Sequence, residues 1–327
     1  MGEEFEYACE WMTPTEELKD IKEIERSLIK RYRKYLWSKF IKGIKEYDLI
    51  QEGDKIAVAI SGGKDSLLLA KLFQEFKKNG HNNFELEFIA MDPGYHPEIR
   101  KLLEENLAHL EIPGKIFPAN IFDVAEEIAK DNPCYICARM RRGALYAKAQ
   151  ELGCNKLALG HHFDDVIETI LLNVLCAGNY KTMMPKLHAQ NFEGMEIIRP
   201  LYLVEEKSII RWMEYTGLTP LNCACMVAAK KTGSMRKRIK KLIEFLEEED
   251  FANVKKSIYL MVLRAVLIAL SFILSAIDHS LPSVVTGVPQ MSLGLANIVV
   301  LFALIFLGVR DAMLITVVKS IFVLFLR

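Results

Sequence analysis

The sequence predicts an α/β protein with a doubly wound parallel sheet, followed by a C-terminal α-helical membrane segment. Three short apolar runs, at 55–60, 86–91 and 156–159, alternate with helical stretches around 66–78 and 138–152. Short apolar runs separated by helices indicate parallel strands joined by crossover helices. A separate, strongly apolar stretch lies at the C-terminus. We therefore expect an α/β part that folds in water and a C-terminal part that folds in a membrane.

Composition limits the functional classes. The chain has 327 residues, enough for two domains, and its 51% apolar content exceeds that of most soluble enzymes. The 42 basic and 42 acidic residues balance, so net charge gives no evidence of a nucleic-acid partner. Seven cysteines, an odd number, and an N-terminus without an apolar signal-peptide core favour a reducing cytoplasm for the α/β part. We expect a basic N-terminal helix over 1–48, an α/β domain over 49–250 and a membrane segment over 257–327.

The N-terminal region has helical periodicity from Thr13 to about Tyr47. Thr13 suits the N-cap, Pro14 the first helical position, and Glu16 completes a capping-box spacing. This helix carries seven cations, which are Lys30, Arg31, Arg33, Lys34, Lys39, Lys42 and Lys45. Such a face can bind the phosphate backbone of a nucleic acid or can simply be exposed to solvent, and the sequence leaves both interpretations open.

All three apolar runs end in residues suited to ligand binding. The string Ser61-Gly-Gly-Lys-Asp-Ser66 follows the first run, Asp92-Pro-Gly94 the second, and Gly160-His-His-Phe-Asp-Asp165 the third. Ligands of doubly wound sheets gather at the carboxyl ends of the strands. Gly62 and Gly63 permit close backbone approach, and a helix that begins there can bind phosphate oxygens. The spacing is not that of a Walker-type P-loop, which disfavours simple phosphoryl transfer of that class.

Four cysteines have spacings suited to a metal. Cys134 and Cys137 form a Cys-x-x-Cys pair, and Cys223 and Cys225 follow later. Three thiolates could hold an iron-sulfur cluster with one open iron, whereas four could close a structural zinc site. A redox pair is a third option, although no thioredoxin-type βαβ unit precedes it. The remaining cysteines are interpreted as small packing residues: Cys9, Cys154 and Cys176.

The ordered set of motifs resembles the tRNA 2-thiocytidine synthetase family over about residues 15–245. The Ser61 loop is similar to the SGGxDS loop of N-type ATP pyrophosphatases, and the other matching strings are CYICARMRRG at 134–143, GHHFDD at 160–165 and the stretch 181–187. The resemblance implies an adenine-nucleotide α-hydrolase-like (PP-loop) fold. It also implies that ATP activates the 2-oxygen of a tRNA cytidine, which cluster-bound sulfur then replaces.

The resemblance assigns roles around ATP and Mg²⁺. Lys64 would neutralise phosphate charge and Asp65 would position magnesium or the loop. Asp164 or Asp165 would bind magnesium, although paired aspartates at a helix start can equally be N-cap and dipole partners. The implied catalytic residues are Lys64, Asp65 and Asp165. The implied nucleotide-binding set is Ser61, Gly62, Gly63, Lys64, Ser66, Asp92, Gly160 and Asp165.

The resemblance also implies a [4Fe-4S] cluster with Cys134 and Cys137 as its first two ligands. The Cys223-Ala-Cys225 pair departs from the family's pattern, so the third ligand is Cys225 or Cys223. The implied partners are tRNA, a sulfur donor of the cysteine desulfurase pathway and a second copy in a homodimer. Two other functions stay open: a lysidine synthetase-like tRNA enzyme, and a membrane-associated protein with structural zinc.

Three C-terminal segments are apolar enough to span or nearly span a bilayer: 258–277, 293–307 and 312–326. Lys255 and Lys256 precede the first, and 278–292 contains no Lys or Arg, so the positive-inside rule places the α/β domain in the cytoplasm. We expect Arg264 and Lys319, inside these segments, to snorkel. Through 292–298 the tail resembles the start of component I of heptaprenyl diphosphate synthase. Such proteins continue with further spans, so we expect an incomplete segment.

Overall fold

The computed structural model describes residues 16–80, 83–119, 121, 133–179, 181–189, 191–221, 235–249, 253–280 and 294–326. The chain divides into two compact units. The first comprises Met1–Thr169 with Thr182–Arg238, and the second comprises Ile170–Lys181 with Ile239–Arg327.

The first unit is built on a six-stranded sheet in the order β3-β2-β1-β4-β6-β5. The strands are β1 Lys55–Ile60, β2 Glu85–Asp92, β3 Gly114–Pro118, β4 Lys156–Ala158, β5 Lys186–His188 and β6 Glu196–Ile198. All neighbours are parallel except β5, which pairs antiparallel with β6. Val58 of β1 lies between Phe88 of β2 and Ala158 of β4. The strand order therefore reverses at β1, which is the switch point of the sheet: β2 and β3 lie on one side and β4, β6 and β5 on the other. The predicted doubly wound parallel sheet is confirmed.

Helices cover the sheet and form the second unit. They are α1 Ile21–Ile29, a π-helix Arg33–Trp37, α2 Ser38–Glu46, α3 Lys64–Asn79, α4 Pro97–His109, α5 Pro133–Glu151, α6 Phe163–Ala177, α7 Glu206–Thr216, α8 Met235–Glu248, α9 Val254–Ser280, α10 Leu295–Phe306 and α11 Val309–Leu326. The helices predicted around 66–78 and 138–152 are α3 and α5. The first begins two residues and the second five residues earlier than the apolar pattern indicated.

The predicted N-terminal helix begins later than expected. Thr13 and Pro14 lie outside the described residues, but 16–20 are not helical. Asp20 is the N-cap, and its carboxylate accepts a hydrogen bond from the N–H of Lys22 at 3.1 Å. The N–H of Lys19 donates to the carbonyl of Thr216 at 3.0 Å. This non-local bond holds the preceding segment in a non-helical conformation, which periodicity could not reveal.

The main core lies between the sheet and helices α1, α2, α3 and α7. Its largest fully buried side chains include Trp212, Phe40 and Phe73. The rings of Phe40 and Phe73 meet edge to face with centroids 5.5 Å apart. The N-terminal helices are therefore an integral part of the α/β unit, whose core they complete.

The second unit is helical, and most of the polar stretch 247–256 belongs to its helices. Residues 247–248 belong to α8 and 254–256 to α9, and Lys255 bonds Glu247 at 2.9 Å. Glu and Lys are good helix formers, so a polar composition did not prevent helix. Among described residues one helix, Val254–Asp278, is long and apolar enough to cross a membrane, with mean hydropathy 2.5. The helix α10 is apolar but short, and α11 carries three charged side chains: Arg310, Asp311 and Lys319.

Candidate active site

The loop between β1 and α3 folds back on itself through serine hydrogen bonds. The N–H of Ser61 donates to the Oγ of Ser66 at 3.2 Å, and that hydroxyl donates to the carbonyl of Gly63 at 2.9 Å. Gly63 is extended and caps α3, which begins at Lys64. The first N–H groups of α3 thus face the carboxyl edge of the sheet. Free N–H groups at a helix start favour an anion there.

Two glycines make this packing possible. Gly62 has φ +81°, and a Cβ there would lie 2.5 Å from the Cδ1 of Leu221, whose N–H donates to the Gly62 carbonyl at 2.9 Å. A Cβ on Gly160 would lie 3.2 Å from the backbone of Asp65 and Ser66. The segment after β4 therefore rests directly on the first turn of α3.

Lys64 lies between two carboxylates. Its Nζ is 3.1 Å from the Oδ2 of Asp65 and 3.1 Å from the Oε1 of Glu206. Burial disfavours the charged ammonium, but Asp65 and Glu206 outweigh it, so the pKa of Lys64 is raised. Lys64 is therefore a cation held in place at the helix start. The sequence gave no signal for Glu206, an ordinary first-turn residue of α7.

Asp65 is a buried carboxylate that faces a histidine. Its Oδ1 lies 3.7 Å from the Nε2 of His162 and has no hydrogen-bond partner within the described part of the chain. Burial raises the pKa of Asp65, against the opposing effect of Lys64. A buried carboxylate oxygen of this kind is a suitable ligand for a cation.

The paired aspartates at the start of α6 have different contacts. Asp164 accepts a hydrogen bond from the N–H of Glu206 at 2.7 Å, so it caps α7. Asp165 accepts from the N–H of His162 at 3.0 Å, and its Oδ1 lies 3.1 Å from the Nη1 of Arg236. Asp164 thus acts as a helix cap, whereas Asp165 lies in the charged cluster beside the loop.

His161 is a largely buried neighbour of this cluster. Burial lowers the pKa of His161 to about 4, against the opposing charge of Asp165. Its Nδ1 is buried and has no hydrogen-bond partner among the described residues. The imidazole is therefore neutral at pH 7, with one ring nitrogen available to a ligand.

Asp92 ends β2 at the same edge of the sheet, but its own loop engages its carboxylate. Oδ1 accepts from the N–H groups of Gly94 and Tyr95 at 3.0 and 2.8 Å. Oδ2 lies 2.8 Å from the Nη1 of Arg100. Asp92 shapes the turn here, and its binding of nucleotide stays a prediction.

The Cys-x-x-Cys pair lies at the start of α5. Cys134 has a described backbone only, and Cys137 is half-buried. Tyr95 is close enough for Cys137 to affect it: burial raises the pKa of Tyr95, with smaller effects from Arg141, Asp92 and Cys137. One cysteine of the pair therefore lies near the loop after β2.

The other cysteine predictions have mixed outcomes. Cys9, Cys223 and Cys225 lie outside the described residues. Cys154 is buried in an apolar cluster, which raises its pKa to about 11 and confirms a packing role. Cys176 is exposed, so its interpretation as a packing residue is wrong: its position on α6 does not face the core. Among the described residues no three His, Cys, Asp or Glu side chains form a metal-binding group.

Comparisons with known proteins decide the family. A family model described as PP-loop domain matches residues 33–221. The tRNA-cytidine(32) 2-sulfurtransferase of Citrifermentans bemidjiense is 40% identical over 220 residues, covering 66% of this chain and 85% of the relative. That of Geobacter metallireducens is 39% identical over 234 residues, covering 70% and 88%. The chain belongs to the tRNA 2-thiocytidine synthetase family of PP-loop proteins.

A solved structure agrees with this family membership. The U34-tRNA thiolase NcsA from Methanococcus maripaludis, with its [4Fe-4S] cluster, is similar at a TM-score of 0.58 and 25% identity, covering 74% of this chain and 79% of that one. The expected PP-loop fold and an enzyme of the tRNA-thiolating class are confirmed. A second family model, heptaprenyl diphosphate synthase component I, matches residues 267–327. The tail resemblance is therefore also confirmed.

Within this PP-loop enzyme, the sequence-predicted residues converge on one edge of the sheet. Direct contacts bring together Ser61, Ser66, Lys64, Asp65 and Gly160. Asp165 joins them through His162, whose Nε2 lies 3.7 Å from Asp65 and 3.6 Å from Asp165. Three residues that the motifs did not assign complete the cluster: His162, Glu206 and Arg236. His162 lies inside a recognised string, whereas Glu206 and Arg236 reach the site from α7 and α8.

Proposed function

We propose that this chain is an ATP-dependent tRNA sulfurtransferase that adenylates the 2-oxygen of a tRNA cytidine and replaces that oxygen with sulfur. The observation that carries the proposal is the Lys64 ammonium at the start of α3, beside the serine-closed loop at the switch point of the sheet. It is supported by curated relatives at about 40% identity that are named tRNA-cytidine(32) 2-sulfurtransferase.

The first half-reaction forms a bond between the cytidine 2-oxygen and the α-phosphorus of ATP and breaks the bond to pyrophosphate. Negative charge accumulates on the departing pyrophosphate. The α3 amide groups and the Lys64 ammonium are placed to stabilise it, because fixed donors in a water-poor site need little reorganisation. Ser61 and Ser66 would donate hydroxyl hydrogen bonds to the phosphates once ATP replaces their mutual contact.

Magnesium fits this site on the evidence of Asp65. Its buried Oδ1 has no hydrogen-bond partner in the described structure, and a hard cation prefers such a carboxylate oxygen. Asp65 would hold the ion, with Asp165 as a second carboxylate after release from Arg236. Bound Mg²⁺ would supply charge neutralisation between the phosphates.

The second half-reaction forms a bond between sulfur and C2 of the cytidine and breaks the C2–O bond, so AMP leaves with the original oxygen. Adenylation makes this oxygen a competent leaving group. The thiol donors at the start of α5 fit an iron-sulfur cluster, since thiolates are the ligands that such clusters take. Cys134, Cys137 and Cys225 or Cys223 would hold a [4Fe-4S] cluster, which when bound would supply an open iron for sulfur.

The proposal also covers partners and location. The sulfur donor would come from the cysteine desulfurase pathway, and the α/β unit would work in the cytoplasm as a homodimer. The tail would hold the enzyme at a membrane through Val254–Asp278, supported by its mean hydropathy of 2.5 and by the matched family model.

The test is the product formed by purified protein. Anaerobically reconstituted full chain in detergent, incubated with ATP, Mg²⁺, sulfide and unmodified tRNA, should yield 2-thiocytidine with one AMP and one pyrophosphate for each sulfur. Lysidine formed from added lysine would instead support the lysidine synthetase alternative. Bound zinc with no product nucleoside at all would support the membrane-associated zinc protein.

A further inference from the structure

We infer that the N-terminal helices carry an RNA-binding site, the Trp37 cavity, which takes a phosphodiester segment of the tRNA together with one of its bases or riboses. The inference rests on the proposed function for the identity of the RNA. The cavity has a volume of about 540 Å³ and is lined by Arg33, Trp37, Ser38, Ile41, Lys42, Lys45 and Glu46.

The local backbone creates this cavity. Residues Arg33–Trp37 form a π-helix between α1 and α2, and the N–H of Ser38 bonds the carbonyl of Arg33. A π-helical turn is wider than an α-helical one, and such turns often occur at functional sites. The wide turn places Arg33 and Trp37 beside the first two turns of α2, where Lys42 and Lys45 line the same cavity.

The charge of the cavity favours an anion. It contains three cations and one carboxylate, and Lys42 lies 3.5 Å from Glu46 with 65% of its side chain exposed. Arg33 and Lys45 form no ion pair with any acidic residue in the described part of the chain. Two cations are thus available for phosphate oxygens, which supply most of the affinity of proteins for nucleic acids.

Trp37 gives the cavity an aromatic wall. Its ring packs against Phe40 and Phe76, with centroid distances of 6.2 and 6.5 Å, and the residue is only half buried. These contacts hold the indole in place while part of it lines the cavity. A fixed aromatic ring among cations is the arrangement on which single-stranded bases stack.

The helix α2, which lines the cavity, packs on the loop after β6. A Cβ on Gly43 of α2 would lie 3.1 Å from the carbonyl of Pro200, two residues after β6 ends at Ile198. Because β6 is parallel to β4, this loop lies at the carboxyl edge, as does the loop that contains Ser61. Trp37 itself packs against Phe76 near the end of α3, and Phe76 stacks on Phe84 just before β2. RNA bound at Trp37 would therefore lie toward the amino edge of the sheet, and the tRNA would extend across the α/β unit to reach the ATP loop.

An indole ring beside cations favours RNA, whose bases can stack on that ring, over an anionic membrane. The test uses full chain in detergent and fluorescent unmodified tRNA, with binding measured from 50 to 300 mM salt. Arg33→Ala/Lys42→Ala/Lys45→Ala should bind tRNA at least about 10-fold more weakly at 100 mM salt and lower the salt slope by about 2. Trp37→Leu should weaken binding without changing the slope.

A matched triple variant, Lys22→Ala/Lys101→Ala/Lys115→Ala, removes three exposed cations elsewhere and should bind almost as wild type. Equal tRNA binding by the two triple variants would overturn the inference. So would loss of binding to phosphatidylserine vesicles with tRNA binding unchanged, which would assign the cavity to a membrane. If the cavity variant loses tRNA but the wild-type chain makes no thiolated nucleoside, the proposed function fails while the RNA site stands.

Discussion

The Nζ of Lys64 at the start of α3 lies 3.1 Å from the Oε1 of Glu206 at the start of α7. This contact connects two helix starts that are far apart in sequence. Lys64, the lysine expected to meet the phosphates, is paired with both Glu206 and Asp65. ATP must therefore take the place of one carboxylate, or share Lys64 with a cation bound at Asp65.

The role of Lys64 is tested by Lys64→Ala. This change removes a charge-assisted contact worth about 1.5 to 3 kcal/mol, so tRNA-dependent pyrophosphate release should fall by roughly 10- to 150-fold or more. Pyrophosphate release by purified full chain is the measurement. Lys115→Ala is the matched control, because Lys115 is exposed at the start of β3 and pairs with Glu87 at 2.6 Å. Wild-type turnover in Lys64→Ala would refute the assigned loop.

The cluster prediction separates the cysteines. Cys134→Ala and Cys137→Ala should each lose iron and sulfide after anaerobic purification, since each removes one of few ligands. Cys176→Ala is the control, because that thiol is exposed on α6 and should leave the iron content unchanged. Absorbance near 400 nm and metal analysis report the result. Stoichiometric zinc in place of iron would contradict the cluster.

The third ligand is a separate prediction between Cys223 and Cys225. We expect Cys225→Ala to lose iron, because the residues that follow it, up to Ser234-Met-Arg236, are similar to the family's stretch after its third ligand. Iron content of the two single variants decides the matter. If only Cys223→Ala loses iron, the assignment is reversed.

The pH dependence of stability tests the burial of His161. Its pKa is lowered to about 4 in the folded chain, against about 6.5 when unfolded, so the unfolded state binds more protons between these values. The contribution of neutral His161 to the free energy of unfolding should therefore be complete above pH 6.5. It should decrease as the pH falls, by about 2 kcal/mol at pH 5. Asp65, whose pKa is raised, acts in the opposite direction at lower pH.

The matching variant is His161→Gln, studied without nucleotide. Between pH 7.5 and pH 5, the melting temperature of the wild-type chain should decrease more than that of this variant. Equal losses in the two proteins would mean that His161 is not buried in its neutral form.

The tail contains an ion pair where the sequence led us to expect snorkelling. Arg264 of α9 meets Asp311 of α11, with Nε–Oδ1 at 2.7 Å and Nη2–Oδ2 at 3.1 Å. Asp311→Leu should destabilise the helical bundle, because it leaves Arg264 unpaired among apolar helices, whereas Arg264→Leu/Asp311→Leu should be better tolerated. Thermal melting in detergent measures both. A double variant less stable than Asp311→Leu would contradict the pairing.

The tail should be dispensable for catalysis. A chain that ends near Asp250 should be soluble and should thiolate tRNA, while the full chain should sediment with membranes. The two are compared at matched protein level. If the shortened protein is folded and holds its cluster yet makes no thiolated cytidine, the tail is part of the enzyme.

The local sequence pattern was sufficient to predict the central strands and the loop at 61–66. The run 55–60 alone predicted β1, since a central strand buried on both faces is continuously apolar. It was not enough for β5, whose residues at Lys186–His188 are mostly exposed and polar at the sheet's edge. Likewise Glu206 and Arg236 carry no local sign of function, because only the folded chain brings them to Lys64 and Asp165.

The most direct test of the account is the nucleoside content of tRNA from cells that lack the native thiolating activity. Cells supplied with the full chain should regain 2-thiocytidine, and cells supplied with Lys64→Ala at the same protein level should not. Mass spectrometry of digested tRNA reads the result. No 2-thiocytidine with the folded, cluster-bearing wild-type chain, or equal amounts with Lys64→Ala, would contradict it.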